Sequence, residues 1–185
     1  MTTSDVLPSD PVSAESARSF ADNFLAAWNS HDPERLVALS DPAVRWEDPY
    51  IPGGRLDGHD ALRDWLAGTW RAMPDLIFEL DGPLHLAEDG RSVMVAWRGV
   101  ASMTGPLNPP GFAPTGQRVE MSGVDTHWIK DGRLVRVRTV TDVMAVARQI
   151  GAAPEPGTMA ERVGVLVQRL AARRLRHDRK GRGPA

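Results

Sequence analysis

Apolar positions divide the chain into a helical first half and a stranded second half. Phe20, Phe24, Leu25 and Trp28 recur at three- and four-residue spacings, which predicts an amphipathic helix over Ser13 to Ser30 with an aromatic stripe toward the core. His31-Asp32-Pro33 breaks it. A short helix over Glu34 to Leu39 and a short strand over Ala43 to Asp48, stopped by Pro49, follow. After a loop at Gly53-Gly54, the spacing of Leu62, Trp65, Leu66 and Trp70 predicts a helix over His59 to Met73. From Asp75 the period changes to two. Strands are predicted over Leu76 to Leu80, Pro83 to Glu88, Ser92 to Thr104, Arg118 to Lys130 and Arg133 to Asp142, with turns at Asp89-Gly90 and Asp131-Gly132. Gly105 to Gly116 is too rich in Pro and Gly to be an element and is a candidate cover for a pocket. Helices gathered before strands predict an α+β domain, its helices packed on a curved, mostly antiparallel sheet as a cone.

The hairpin around Asp131-Gly132 carries the candidate chemistry. A two-residue turn pairs Lys130 with Arg133. An unbroken count then sets Ile129 opposite Leu134, His127 opposite Arg136, Asp125 opposite Arg138 and Met121 opposite Asp142, all on one face. Val124, Trp128, Val135 and Val137 fall on the other. That register makes a polar cluster of Asp125, His127, Arg136, Arg138 and Asp142, although a solvated cross-strand Asp-Arg pair contributes only about 1 kcal/mol or less. Asp142 stands where the strand passes into the short helix pattern VMAVARQIG. Two roles are open to it: capping would lower its pKa, and apolar burial would raise it toward a general acid or base.

Composition narrows the chemistry. The 185 residues are 42% hydrophobic and 25% charged, which fits one globular domain with a full core. No apolar run is long enough for a membrane span, and Met1 to Asp10 lacks a signal-peptide pattern, so a cytoplasmic location is expected. With no cysteine, thiol nucleophiles and cysteine-ligated metals are excluded. His31, His59, His85, His127 and His177 are too scattered to suggest a metal site. Phosphate-loop, dinucleotide-binding, zinc-protease and serine-hydrolase motifs are absent.

Charge is divided unevenly. Residues 1–155 carry 14 basic against 22 acidic side chains, a net of -8, whereas residues 156–185 carry 8 against 2, a net of +6. The acidic body argues against a nucleic-acid module. Met159, Val163, Leu166 and Leu170 stand at helical spacing in the basic tail. The expected organisation is a disordered start over 1–12, a cone domain over 13–153 and a basic helical extension over 154–185.

The order of elements, with the phrases AWNSHDPERL, VRWEDPY, TGPLNPPGFAPTGQRVEMSGVD and IKDGRLVRVRTVTDVMAVARQIG, resembles the SnoaL-like polyketide cyclases of the nuclear-transport-factor-like superfamily, over roughly Ala17 to Ala153. The resemblance implies a cone with an apolar pocket, a homodimer, and cofactor-free acid/base ring closure of a hydrophobic, oxygenated polyketide-type intermediate. It places Asp142 as the proton-transferring carboxylate with His127 assisting. Arg136 and Arg138 depart from that pattern: beside Asp142 and Asp125 they would weaken a base, or hold an oxyanion, the role assigned to Arg138. Trp28, Trp46, Asp48, Tyr50, Trp65, Trp97, Met103 and Asp125 are the candidate substrate-binding residues, with core packing the alternative for each aromatic side chain. A ketosteroid-isomerase reading fails for want of a tyrosine in the first helix. An epoxide hydrolase of the same fold, lacking its Arg-x-Asp after Arg98, and a silent binding or dimerisation module remain as alternatives.

Overall fold

The computed structural model describes residues 12–88, 90–108 and 111–181, with side chains to Ala172. Residues 1–11 of the start expected to be disordered, and Asp89 of the Asp89-Gly90 turn, lie outside the described residues. In chain order the elements are α1 (Ala14–Asn29), α2 (Pro33–Ala38), β1 (Ser40–Glu47), β2 (Arg55–Asp57), α3 (Gly58–Ala72), β3 (Ile77–Leu80), β4 (His85–Leu86), β5 (Ser92–Ser102), β6 (Arg118–Lys130), β7 (Arg133–Thr141), α4 (Val143–Gln149) and α5 (Met159–Gly181).

Local chemistry explains the helix starts. The Ser13 side chain accepts from Ser16 N at 3.1 Å to cap α1. Asp32 accepts from Glu34 N at 3.0 Å, with Pro33 pre-set in the first turn of α2. Strands are ordered β2-β1-β7-β6-β5-β3, with β4 also on β5, and only β1 and β7 run parallel among the described pairs. This is the α+β architecture expected, a curved and mostly antiparallel sheet closed on one side by helices. The aromatic stripe of α1 presses onto the inner face: Phe24 stacks on Trp46 at 5.8 Å, and Trp28 meets Trp46, Trp65 and Trp70 edge-on at 5.6 to 5.9 Å.

The hairpin departs from the simple count. Asp131 and Gly132 both have positive φ, 51° and 74°, as the twist-matching turn requires, and Lys130 pairs with Arg133 and Ile129 with Leu134. Val135 is then skipped. Beyond this bulge Trp128 opposes Arg136, His127 opposes Val137, Thr126 opposes Arg138 and Asp125 opposes Thr139. The expected pairing of Asp125 with Arg138 and of His127 with Arg136 is therefore corrected by one residue, which sends both arginines to the outer face. Their physical alternative was severe: two guanidinium groups beside buried Phe20 and Phe24, a desolvation cost of several kcal/mol each. Val137 and Thr139 take the inner positions instead, both buried. Outside, Arg136 lies 4.8 Å over the Trp128 ring and donates to Glu47 Oε2 at 2.9 Å.

Candidate active site

A cavity of about 950 Å³ lies between the concave sheet, α1 and α3. Its wall is largely apolar: Trp28, Trp46, Trp65, Trp97, Leu56, Val95, Val119 and Met103. Leu107 and Asn108 of the Pro/Gly-rich loop, and Val146 and Ile150 around α4, also line it. Four aspartates line it: Asp57 and Asp64 are exposed, whereas Asp48 and Asp125 are buried. Asp48 follows β1 and Asp125 comes from mid-β6, where its inward side chain stands between Val95 and Thr139 in the strand register.

Asp48 owes its place to a turn. Pro49 ends the strand, and Asp48 Oδ1 folds back to accept from Tyr50 N at 2.7 Å. The carboxyl is buried, 7% exposed, and burial pushes its pKa up to about 6, with the charge of Asp125 adding to the rise. The Tyr50 N–H and the Thr139 hydroxyl oppose that rise without cancelling it. The Asp48 carboxyl thus changes protonation near pH 6.

Asp125 is equally buried, at 6% exposure. Its Oδ2 is 3.5 Å from His127 Nε2, a contact too long for a strong hydrogen bond, and its Oδ1 has no protein partner among the described residues. His127 is fully buried one layer behind, outside the cavity wall, with Phe24 and Phe20 edge-on at 4.5 and 6.1 Å.

The wall also presents donors. Tyr50 Oη and Trp97 Nε1 are buried and make no well-directed hydrogen bond to the described protein. Burial, reinforced by the charges of Asp48 and Asp142 and opposed by neighbouring Thr141, pushes the Tyr50 phenol up to about 12, so it stays a donor at neutral pH. Trp46 Nε1 by contrast donates to Thr139 Oγ1 at 3.4 Å.

Of the residues singled out from sequence, Trp28, Trp46, Asp48, Tyr50, Trp65, Trp97, Met103 and Asp125 all line the cavity. Asp142 does not. It is exposed, and its side chain accepts from Ala145 N at 2.9 Å to cap α4. Arg138 stands opposite Thr126 on the outer face, away from Asp125. Thr139, which touches both Trp46 and Asp48, escaped sequence reasoning because the unbroken register turned it outward. Among the described residues no group of three or more His, Asp or Glu is placed to hold a metal ion.

The chain belongs to the SnoaL-like domain family, whose model matches residues 21–137. Comparison with curated proteins finds no match. Among solved structures, TsrD from Streptomyces laurentii is 24% identical with a TM-score of 0.65, covering 77% of this chain and 99% of its own. AclR from Streptomyces galilaeus, a candidate hydroxylase, is 22% identical with a TM-score of 0.65 over 77% of this chain and 89% of its own. IdmH from Streptomyces antibioticus, a candidate polyketide cyclase, is 22% identical with a TM-score of 0.60 over 72% of this chain and 97% of its own. At these identities the likeness is one of fold, and the differing labels of these neighbours fit a scaffold that hosts several chemistries.

Proposed function

We propose that the protein is a cofactor-independent cyclase of the SnoaL-like family that closes a ring in an apolar, oxygenated polyketide-type molecule by proton transfer at the Asp48-Asp125 pair. The observation that carries this reading is Asp48, a carboxyl raised to about 6 inside an apolar cavity it shares with a second carboxylate. Asp48 as carboxylate removes a proton from the carbon beside a substrate carbonyl. The enolate oxygen accepts from Tyr50 Oη–H or Trp97 Nε1–H, donors that make no well-directed hydrogen bond within the described protein. The nucleophilic carbon then bonds to a second carbonyl of the same molecule, and the alkoxide takes the proton back from Asp48. The net change is an isomerisation, so no oxidant or reductant is needed. Asp125 holds the pair's second charge and His127 positions it from behind. Asp142 contributes only through its charge near Tyr50.

A cavity left open between the tryptophans favours an enzyme over a module whose indoles fill the core. We also assign pairing of two copies to the outer sheet face, where Ala96, Val124 and Val140 form one register row and Val140 is 63% exposed. The proton-transfer step can be tested without the natural substrate. A bicyclic ketone such as 2-tetralone in deuterated buffer reports α-proton exchange by NMR. Exchange accelerated by the wild-type protein and lost in Asp48→Asn supports the proposal. Exchange no faster than buffer alone, or unchanged by the substitution, rejects it.

A further inference from the structure

The matched family domain ends at residue 137, and α5 lies wholly beyond it. At 23 residues the helix is roughly 35 Å long. Along it Met159, Val163, Leu166, Val167 and Leu170 fall within an arc of roughly 100° at helical spacing. These five side chains are between 51% and 70% exposed, whereas Val165 lies off the stripe. Soluble helices seldom leave such a stripe in water without use. Arg162 and Arg169, seven residues apart, flank it on one side, and the Arg162 guanidinium lies 3.8 Å from Met159 Sδ along its edge. Further along, the sequence adds Arg173, Arg174, Arg176, Arg179, Lys180 and Arg182, giving residues 156–185 their net +6.

We propose that α5 is an interfacial helix that seats this protein on an anionic lipid surface. The apolar stripe enters the boundary between headgroups and acyl chains, and the arginines meet lipid phosphates. Charge selects this occupant over others. A second copy of α5 on the stripe would bring two +6 segments together, and a nucleic acid would satisfy the arginines while leaving five apolar side chains in water. An anionic bilayer uses both features at once. The helix lies on the surface and does not cross it, since among the described residues no helix is long and apolar enough to span a membrane. The body, with a net charge of -8, is repelled by the same surface and stands away from it.

The test is co-sedimentation of the full chain with vesicles of phosphatidylcholine alone or mixed with phosphatidylglycerol. Binding to the mixed vesicles is expected to be stronger by roughly tenfold or more, and to weaken as salt is raised. Leu166→Asp with Leu170→Asp, at exposed positions that leave the body intact, is expected to cut binding by roughly tenfold while the circular-dichroism spectrum is retained. Failure to bind the mixed vesicles overturns the proposal. Binding that is salt-sensitive yet indifferent to the double substitution also overturns it, showing attraction to polyanions alone. So does a sedimentation-velocity mass that falls on the double substitution with vesicles left unbound, which would give the stripe to a second copy.

Discussion

Two aspartates end two parallel neighbours, Asp48 after β1 and Asp142 after β7, and each side chain accepts a backbone N–H a few residues ahead. Local chemistry is nearly the same, and the outcomes are opposite. Asp48 points under the helices into the aromatic cavity and rises to about 6. Asp142 faces solvent and caps a helix. Candidate catalytic carboxylates are therefore told apart by what covers them, since turn and capping chemistry merely aims the side chain.

The largest test of this contrast acts on the inner face of β7. Val137→Arg would set a guanidinium at a fully buried position opposite His127, and we expect loss of cooperative folding, seen as loss of a thermal transition by circular dichroism. Next in size, Asp48→Asn is expected to lower proton-exchange turnover by roughly 10²- to 10⁴-fold, while Asp142→Asn leaves it unchanged. The wild-type rate profile should show an inflection near pH 6 that the Asp48 variant lacks.

Stability follows the same carboxyl. Its folded pKa, about 6, lies above the ordinary 3.8, so its contribution is fully present below pH 3.8 and is lost as pH rises through 6. Between pH 4 and pH 7 the wild type should lose roughly 2 kcal/mol relative to Asp48→Asn, measured by urea denaturation of both proteins. The smallest effect is expected at the exposed partner of the comparison. Asp142→Ala should cost about 1 kcal/mol through loss of the α4 cap, read from the denaturation midpoint.

Much of the frame was legible from residue spacing. Ser13, Asp32 and Asp131-Gly132 marked element boundaries through chemistry confined to a few neighbours, and the periods of α1, α3 and β5 needed no tertiary knowledge. The bulge was not legible, because Val135 belongs to an alternating run of Val and Arg with no glycine to mark an extra residue. Parity then depended on which side chains tolerate burial beside Phe20 and Phe24, a question posed only once α1 packs on the sheet. Asp48 was visible as a turn residue, but its raised pKa arises from burial in the cavity wall and from the charge of Asp125 on another strand, contacts made only once the sheet has formed. β2 was read as loop because its three residues are too few to show a period.

The indole cluster has an optical consequence. Trp28 lies within 6 Å of Trp46, Trp65 and Trp70, close enough for the four rings to exchange excitation, and three of them border the cavity. Emission from this coupled set responds to whatever displaces water from the cavity, so the protein carries a built-in fluorescent gauge of occupancy. A library of oxygenated polycycles can be screened against it unlabelled, before any turnover assay exists.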